Sequence, residues 1–299
     1  MAVCQVTPIA ECRGATLYAH NDCFLSFTNS PYYAHRHLSS VDLYPRRGVR
    51  TAFSPVRGKV LEARKLKLID DYVIAIETEN PGTCVKLLHA EPEVKVGDRV
   101  SPGDVIGRLV WSPFFDFWTD PHFHVEVRPV NDWLRAKGGY TLDPRKPLIG
   151  KLGGSYPVPR SFRVEKALSQ YILLASDSPI PAFATPLTFT LDGISFVMEG
   201  GLPHYGHGAL WTDSAQQQNR VLKVVRESFK IDFVHDGYFH FICSGEKIVV
   251  KGHEYRGIGL YLNDPHIKLI PKRPGEQTLK VGDEISREEI LPFMTEYPE

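Results

Sequence analysis

The stretch "TDPHFHVEVRP", residues 119–129, carries two histidines two positions apart inside a run that alternates like a β-strand. Side chains at positions i and i+2 leave the same face of an extended chain. His122, His124 and Glu126 are therefore predicted to share one surface, while the Phe and Val residues between them point to the opposite face. The apolar face is predicted to be core, and the histidine face is predicted to be a functional site.

The residues before this strand also have the pattern of short antiparallel strands. "YVIAIETENPGTCVKLLHA", residues 72–90, predicts a hairpin in which two strands flank an Asn-Pro-Gly turn. "EVKVGDRVSPGDVIGRLV", residues 93–110, alternates Gly-Asp turns with short Val and Ile runs. Because no helical period of useful length precedes residue 130, the first half of the chain is expected to be all-β.

The composition changes after a segment rich in Pro, Gly and basic residues, which places a predicted domain boundary near residue 155. The expected division is 1–155 and 156–299. The second domain is predicted to be α+β and strand-rich, with a helix from about Asp213 to Phe229 and a shorter one after Ser286. The whole chain is thus expected to be mainly β.

Composition limits the classes of function. The 299 residues include 35 Lys and Arg and 35 Asp and Glu, so net charge gives no argument for nucleic acid or an anionic membrane. The N-terminus lacks a basic segment followed by a long apolar stretch, and no window is long enough to span a bilayer. The five cysteines form no CxxC pair, which favours a reducing compartment. A cytoplasmic location is predicted, with neither a membrane nor a nucleic acid as partner.

The placement of the histidines points to a metal. His37 lies five positions before Asp42, His89 ends the return strand of the hairpin, and His122 and His124 follow. A catalytic zinc ion takes three protein ligands of imidazole or carboxylate type and keeps one position open. Two histidines and one aspartate would fill that requirement, and two further histidines would remain for acid–base chemistry.

This combination resembles the lysostaphin and LytM type of zinc endopeptidases, over about residues 30–130. The stretches that carry the resemblance are "HLSSVDLYPRRGVRTAFSPVRGKVLEA", "VKLLHAEPEVKVGDRVSPGDVIGRL" and "PHFHVEVRP". The resemblance implies an N-terminal antiparallel β-sheet or sandwich domain of the lysostaphin type, built on the duplicated hybrid motif. It says nothing about the second domain.

Carried over by position, the resemblance implies that His37, Asp42 and His124 bind zinc (Zn²⁺) and that His89 and His122 are the catalytic pair. The implied activity is that of a zinc-dependent metalloendopeptidase, which hydrolyses a peptide bond of a peptide or protein substrate with metal-activated water. His35 competes with His37 as the first ligand. The spacing from His35 to Asp42 is longer than is usual in the family, which favours His37.

Other features depart from the family pattern or leave alternatives open. "HLSSVD" lacks a Gly beside the first ligand, and "VWSPFFDFWTD", residues 110–120, is crowded with aromatics that either wall a substrate site or seal a domain interface. Glu126 is interpreted as a rim or structural carboxylate. The alternative function is a non-catalytic binding or regulatory module on the same fold. Among the remaining histidines, the "HYGHG" stretch at 204–208 shows a weaker case for a second metal.

Overall fold

A computed structural model describes residues 5–144, 147–149, 158–191, 194–213, 229–235, 237–245 and 247–290. The chain divides into two compact units: Met1–Phe27 with Tyr32–Leu148, and Thr28–Pro31 with Ile149–Glu299. The predicted boundary near residue 155 lies within 150–157, outside the described residues. As predicted, the fold is mainly β, and every strand pairing in the described part of the chain is antiparallel.

The first unit contains twelve strands among its described residues. They are β1 (Val6–Cys12), β2 (Ala15–His20), β3 (Phe24–Ser26), β4 (Ser40–Tyr44), β5 (Thr51–Phe53), β6 (Gly58–Lys65), β7 (Tyr72–Thr78), β8 (Thr83–Leu88), β9 (Ala90–Pro92), β10 (Arg99–Val100), β11 (Val105–Leu109) and β12 (Phe123–Pro129). Helix α1 spans Tyr33–Arg36, and Val130–Asp132 form a 3-10 turn. A seven-stranded sheet has the order β10-β6-β7-β8-β12-β4-β3.

The sheet order places the histidine-rich strand in the interior of this sheet. β12 lies between β8 and β4, and His124 is opposite both Leu88 and Asp42. Phe123, Val125 and Val127 are at most 1% exposed, as expected of side chains that face the core. The register therefore brings Asp42 beside the histidine face of β12.

The predicted hairpin is confirmed as β7 and β8. The chain turns back between them through residues 79–82, where the Thr83 amide donates to the Asn80 carbonyl oxygen. Gly82 adopts a φ of +80°, a conformation that L side chains rarely take. Register pairs Val73 with Leu88, so the residues just before β7 and just after β8 share one end of the hairpin.

The expectation that the first half is all-β is wrong at one turn of helix. α1 contains four residues, which is too short to produce a detectable helical period in the sequence. The chain leaves this turn through Leu38, whose φ is +50°, and enters β4 two residues later. This small departure matters because α1 carries His35.

The second unit is strand-rich, as predicted. Its strands are β13 (Ser161–Ala167), β14 (Ile172–Ser176), β15 (Thr188–Leu191), β16 (Ile194–Leu202), β17 (His207–Trp211), β18 (Phe229–His235), β19 (Tyr238–Cys243), β20 (Ile248–Val250), β21 (His253–Tyr255), β22 (Gly257–Leu260), β23 (His266–Ile270) and β24 (Glu284–Ser286). Ten of them form one sheet, with the order β18-β19-β17-β16-β22-β23-β14-β13-β24 and β15 paired to β16, while β20 and β21 pair separately.

The two predicted helices of this unit have different outcomes. Helix α2 (Arg287–Ile290) confirms the shorter one, and its first turn is a capping box in which Ser286 and Glu289 each accept a hydrogen bond from the other's backbone amide. The longer prediction, Asp213 to Phe229, falls on 214–228, outside the described residues, and Phe229 itself begins β18. Among the described residues, no helix has the length and apolar character needed to cross a lipid bilayer.

Candidate metal centre

Three side chains of the first unit direct one potential ligand atom each toward a common point. His35 Nε2 lies 3.2 Å from His124 Nδ1 and 3.3 Å from Asp42 Oδ1, and His124 Nδ1 lies 2.8 Å from the same oxygen. All three residues are nearly inaccessible, with exposures of 1%, 8% and 2% for His35, His124 and Asp42. This is the group of His, Asp and Glu side chains in the described residues that has the spacing of a metal site.

Three different elements supply the group. His35 comes from α1, Asp42 from β4 and His124 from β12, whose pairing with β4 sets the two latter residues side by side. The turn of α1 is held against the start of β4 because the backbone amide and hydroxyl of Ser39 both donate to the Ala34 carbonyl oxygen. The sheet register and one short helical turn thus determine the geometry.

The outer nitrogen of each imidazole has an acceptor of its own. His35 Nδ1 donates to the Phe27 carbonyl oxygen at 3.0 Å, and His124 Nε2 donates to Glu126 Oε1 at 3.1 Å. In a neutral imidazole one nitrogen donates and the other carries a lone pair. When both rings are neutral, their inner nitrogens present lone pairs beside the Asp42 carboxylate, which is the form that binds a metal; without a metal, His124 Nδ1 donates to Asp42 Oδ1.

A cation satisfies such a set of converging acceptors, and zinc fits it well. In a tetrahedral site with ligand bonds of ~2.0–2.1 Å, two ligand atoms lie ~3.3 Å apart. The three measured separations, 2.8 Å, 3.2 Å and 3.3 Å, are close to that value. Zinc-binding histidines also donate their other N–H group to a carboxylate or backbone carbonyl, as both imidazoles do here.

Glu126, which accepts the hydrogen bond from His124 Nε2, belongs to a buried ionic network. Its Oε1 lies 2.5 Å from Lys86 Nζ, and its Oε2 accepts from Arg128 Nη1 at 2.5 Å. Arg128 is fully buried and also donates to the carbonyl oxygens of Asp132 and Lys137. These contacts agree with the interpretation of Glu126 as a rim or structural carboxylate in preference to a metal ligand, and its 3% exposure places it in the interior.

His122 and His89 lie beside the three-residue group. His122 Nδ1 donates to the Asp120 carbonyl oxygen at 3.0 Å, which leaves its Nε2 3.3 Å from Asp42 Oδ2. The ring of His89 has its centroid 5.4 Å from that of His122 and 6.3 Å from that of His124. Four of the five residues singled out by the sequence are therefore brought together.

The exception is His37. Its side chain is exposed, stacks on Tyr33 with ring centroids 3.8 Å apart, and has Nδ1 2.8 Å from the Tyr33 carbonyl oxygen. The two side chains are two positions apart, about half a helical turn, so they point in opposite directions and only His35 faces the group. The geometry therefore favours His35 over His37, and the choice of first ligand is taken up as a proposal.

The aromatic segment 110–120 adjoins the histidines. Phe115 stacks on His122 with centroids 4.5 Å apart and meets His89 edge-on at 4.9 Å. Phe114 contacts Tyr32, whose hydroxyl donates to the Phe114 carbonyl oxygen at 3.1 Å. Part of the segment thus encloses the histidines in an apolar setting, while Trp111 remains 59% exposed.

Burial and charge act differently on these groups. Burial lowers the pKa of His122 to about 4, and the attraction of Asp42 offsets it only in part. Burial also opposes a charged His124, but hydrogen bonds to Asp42 and Glu126 outweigh it and raise the pKa of His124 to about 9. Burial alone would raise the pKa of Asp42, yet the surrounding imidazoles hold it well below its usual range. In the metal-free protein, Asp42 is therefore anionic at neutral pH.

Sequence reasoning missed two residues near the site. Asp71 Oδ2 accepts from His89 Nδ1 at 2.6 Å and from Ser112 Oγ at 2.8 Å. Neither residue has a sequence signal, because Asp71 is one of two adjacent aspartates before a strand and Ser112 precedes a proline in a loop. Only the hairpin register and the path of the loop bring them together with His89.

Comparison with known proteins gives a partial family match. The sequence profile of a family described as "Domain of unknown function (DUF8155) N-terminal domain" matches residues 15–144, which is less than half of the chain. The matched range contains every residue of the candidate centre. A search of the curated proteins gave no significant match.

Two solved structures of lysostaphin are similar to the chain at low identity. An NMR solution structure of lysostaphin is 15% identical, with a TM-score of 0.34 over 82% of this chain and 95% of that one. A structure of the antimicrobial peptidase lysostaphin from Staphylococcus simulans is 14% identical, with a TM-score of 0.31 over 74% of this chain and 88% of that one. At these TM-scores neither likeness carries an inference about this chain.

Proposed function

We propose that the protein is a zinc-dependent metalloendopeptidase that hydrolyses a peptide bond. His35, Asp42 and His124 would hold the zinc ion, with His35 in the place first given to His37. The observation that supports this most directly is that one nitrogen each of His35 and His124 and one oxygen of the buried Asp42 carboxylate face one another at separations typical of zinc ligands. The order of the motifs, which resembles that of the lysostaphin and LytM type, agrees with the proposal.

The chemistry divides between the ion and the neighbouring histidines. Bound zinc supplies Lewis acidity that lowers the pKa of water and polarises a carbonyl group. His89 donates through Nδ1 to Asp71, so its Nε2 is available to accept or return a proton. The low pKa of His122 keeps its Nε2 unprotonated at neutral pH beside Asp42. The two imidazoles would orient water and protonate the leaving amine.

A non-catalytic binding or regulatory module is the second candidate. It is favoured by the burial of the histidines and Asp42, since all five residues of the centre are at most 8% exposed. A peptide bond must reach the ion for hydrolysis, whereas a structural or regulatory metal needs no such access. The two candidates share the metal and differ in turnover. A cytoplasmic location stays a prediction from the sequence.

Metal content is the first test of the proposal. Protein purified without added zinc is expected to contain close to one zinc per chain by mass spectrometric metal analysis. Asp42→Ala and His124→Ala should each abolish it, because every ligand of a three-residue site is required for tight binding. His253→Ala, which changes an exposed histidine of the second unit, is the control. The proposal is contradicted if the wild-type protein is incubated with zinc, the excess is removed, and no metal is found in the protein.

Hydrolysis separates the two candidate functions. The wild type is to be incubated with a panel of linear peptides, unfolded casein and peptidoglycan fragments, with products read by mass spectrometry. His122→Ala should retain zinc and lose about 10²-fold to 10⁴-fold in rate, the usual contribution of a general acid or base. Full zinc content with no product from any substrate would favour the non-catalytic module instead.

A further inference from the structure

Asp71 is fully buried and yet belongs to none of the motifs that define the metal centre. It lies at the end of the β7–β8 hairpin, one residue before β7, while His89 lies one residue after β8. Because Val73 pairs with Leu88, the fold sets the Asp71 carboxylate beside the His89 imidazole. A buried carboxylate needs partners to compensate for lost hydration, and Asp71 has three.

Each partner of Asp71 is a donor. Oδ2 accepts from His89 Nδ1 at 2.6 Å and from Ser112 Oγ at 2.8 Å, and Oδ1 accepts from the Tyr72 amide at 2.7 Å. Burial raises the pKa of Asp71, but the hydrogen bonds of His89, Ser112 and Tyr72 outweigh it and leave the pKa below its ordinary value. An ionised carboxylate can only accept, so the proton of a neutral His89 must reside on Nδ1.

The backbone and ring of His89 are also held in place. His89 adopts a φ of +72°, which is uncommon for a residue with a side chain, and its carbonyl oxygen accepts from the Val110 amide at 3.0 Å. Phe115 meets the edge of the ring at 4.9 Å, and the His122 ring lies at 5.4 Å. With the backbone and Nδ1 engaged and Phe115 and His122 packed against the ring, Nε2 is the remaining functional atom of His89.

We propose that Asp71 is the positioning residue of His89, which it holds as the Nδ1–H tautomer with the Nε2 lone pair available for proton transfer. Ser112 contributes by orienting the carboxylate from the aromatic segment. The proposal rests on the proposed function for its chemical purpose, because the tautomer matters only if His89 transfers a proton. The tautomer itself can be measured whether or not the protein is an enzyme.

The first experiment reads the tautomer in the full-length chain. Protein labelled with ¹⁵N in its histidines is examined by long-range ¹H–¹⁵N correlation, and the His89 signals are assigned by their loss in His89→Gln. We expect the wild type to show a protonated Nδ1 and an unprotonated Nε2 at neutral pH, in both the metal-free and zinc-loaded forms. A proton on Nε2 would overturn the proposal without any further variant.

Two variants test whether Asp71 is the cause. Asp71→Ala removes the acceptor, and Asp71→Asn keeps the shape but offers an amide that can donate to the ring. In either folded variant the Nδ1–H preference should be lost, whereas Asp70→Asn should retain it. Asp70 is the matched control because it is adjacent in sequence, is exposed and pairs with Lys65. A preference unchanged from wild type in a folded Asp71 variant would contradict the proposal.

Hydrolysis then distinguishes positioning from simple structural support. On any substrate cleaved by the wild type, Asp71→Asn should lower kcat by about 10²-fold or more, with KM within about 3-fold and zinc content unchanged, because a wrong tautomer impairs proton transfer and not binding. Ser112→Ala should show a smaller loss of kcat. If the wild type cleaves nothing, the proposed function fails, and the tautomer measurements still decide whether Asp71 positions His89.

Discussion

Both units of the molecule bury histidines beside an aspartate on antiparallel strands, and the two clusters differ in how their nitrogens are directed. In the first unit, one potential ligand atom each of His35, His124 and Asp42 faces a common point, with all three within 4.8 Å of one another. In the second unit, His207 Nε2 lies 2.7 Å from the Ser30 carbonyl oxygen, His207 Nδ1 lies 3.0 Å from His240 Nε2, and His240 Nδ1 lies 3.1 Å from Asp232 Oδ2. The first arrangement converges and the second is a line.

A line of this kind is complete without a metal. His207 donates to the Ser30 carbonyl oxygen and accepts from His240, and the pattern closes when His240 carries a proton on both nitrogens and donates the second to Asp232. In the first unit the outer N–H groups are already used, so only a cation or an extra proton satisfies the inner atoms. Either cluster can thus be satisfied by one extra proton, and what separates them is the placement of their atoms: three potential ligand atoms lie within 3.3 Å of one another in the first unit, whereas the contacts of the second unit follow one another in a line.

The largest effect is expected when the two candidate first ligands, His35 in α1 and His37 just after it, are removed one at a time. His35→Ala should abolish stoichiometric zinc binding, because His35 Nε2 is one of the three converging atoms. His37→Ala should keep close to one zinc per chain, since that side chain is exposed and contacts Tyr33. Isothermal titration with zinc measures both. The reverse pattern would make His37 the first ligand. It would also contradict the description of the first cluster as three atoms that face a common point.

A loss of stability is expected when the buried ionic network of Glu126, Lys86 and Arg128 loses its carboxylate. Glu126→Ala leaves Lys86 and Arg128, both buried, without their shared carboxylate. Removing one partner of a buried ion pair costs about 3–5 kcal/mol of unfolding free energy. Urea unfolding of the metal-free protein followed by circular dichroism measures the change. Glu165→Ala is the control, because this carboxylate pairs with His266 on the other unit and is 49% exposed.

An unchanged urea midpoint in Glu126→Ala would mean that the network contributes nothing to stability. It would also argue against the hydrogen bond from His124 Nε2 to Glu126 as a stabilising contact. In the second unit no equivalent loss is expected from Glu165→Ala, since exposed pairs contribute about 0–1 kcal/mol. The two variants therefore compare a carboxylate that anchors the convergent cluster with one that lies at the surface.

A pH effect is expected from His204, a histidine of the second unit that belongs to neither cluster. Burial lowers the pKa of His204 to about 3, against a hydrogen bond with the Leu202 backbone. His204 fills space beside Gly201 and Gly257, where any side chain would run into its ring. Because the folded-state pKa is below the unfolded value of ~6.5, stability is retained above pH ~6.5 and is lost as the pH falls toward 3.

Between pH 6.5 and 5 this loss amounts to about 2 kcal/mol, from ~1.4 kcal/mol per pH unit. His204→Gln should flatten that part of the acid transition when thermal unfolding is recorded across the pH range. His253→Gln, which changes an exposed histidine, should leave the transition as in the wild type. An equal slope in His204→Gln and wild type would show that His204 does not carry the proton uptake.

The sequence predicted strand positions and shared faces well because both follow from local alternation and turn chemistry. Examples are His122 and His124, which both lie beside Asp42, and the hairpin that ends at His89. The sequence could not indicate the inward direction of His35, because a single helical turn has no detectable period, or the role of Asp71, because only β7–β8 register brings that residue to His89. The direction of an imidazole nitrogen depends on acceptors that are distant in sequence, such as the Phe27 carbonyl oxygen.

The smallest effect is expected for the His–Asp pair whose aspartate lies at the surface, His240 with Asp232. Asp42→Asn should abolish zinc binding, whereas Asp232→Asn, in the pair with His240, should cost under about 1 kcal/mol of unfolding free energy. The reason is exposure: the Asp232 side chain is 45% exposed and that of Asp42 is 3% exposed, so solvent replaces the lost partner only at the former. Thermal unfolding and zinc titration of the two variants give the comparison. A cost of several kcal/mol for Asp232→Asn would show that the linear cluster depends on its charge as strongly as the convergent one does, and direction alone would no longer separate the two.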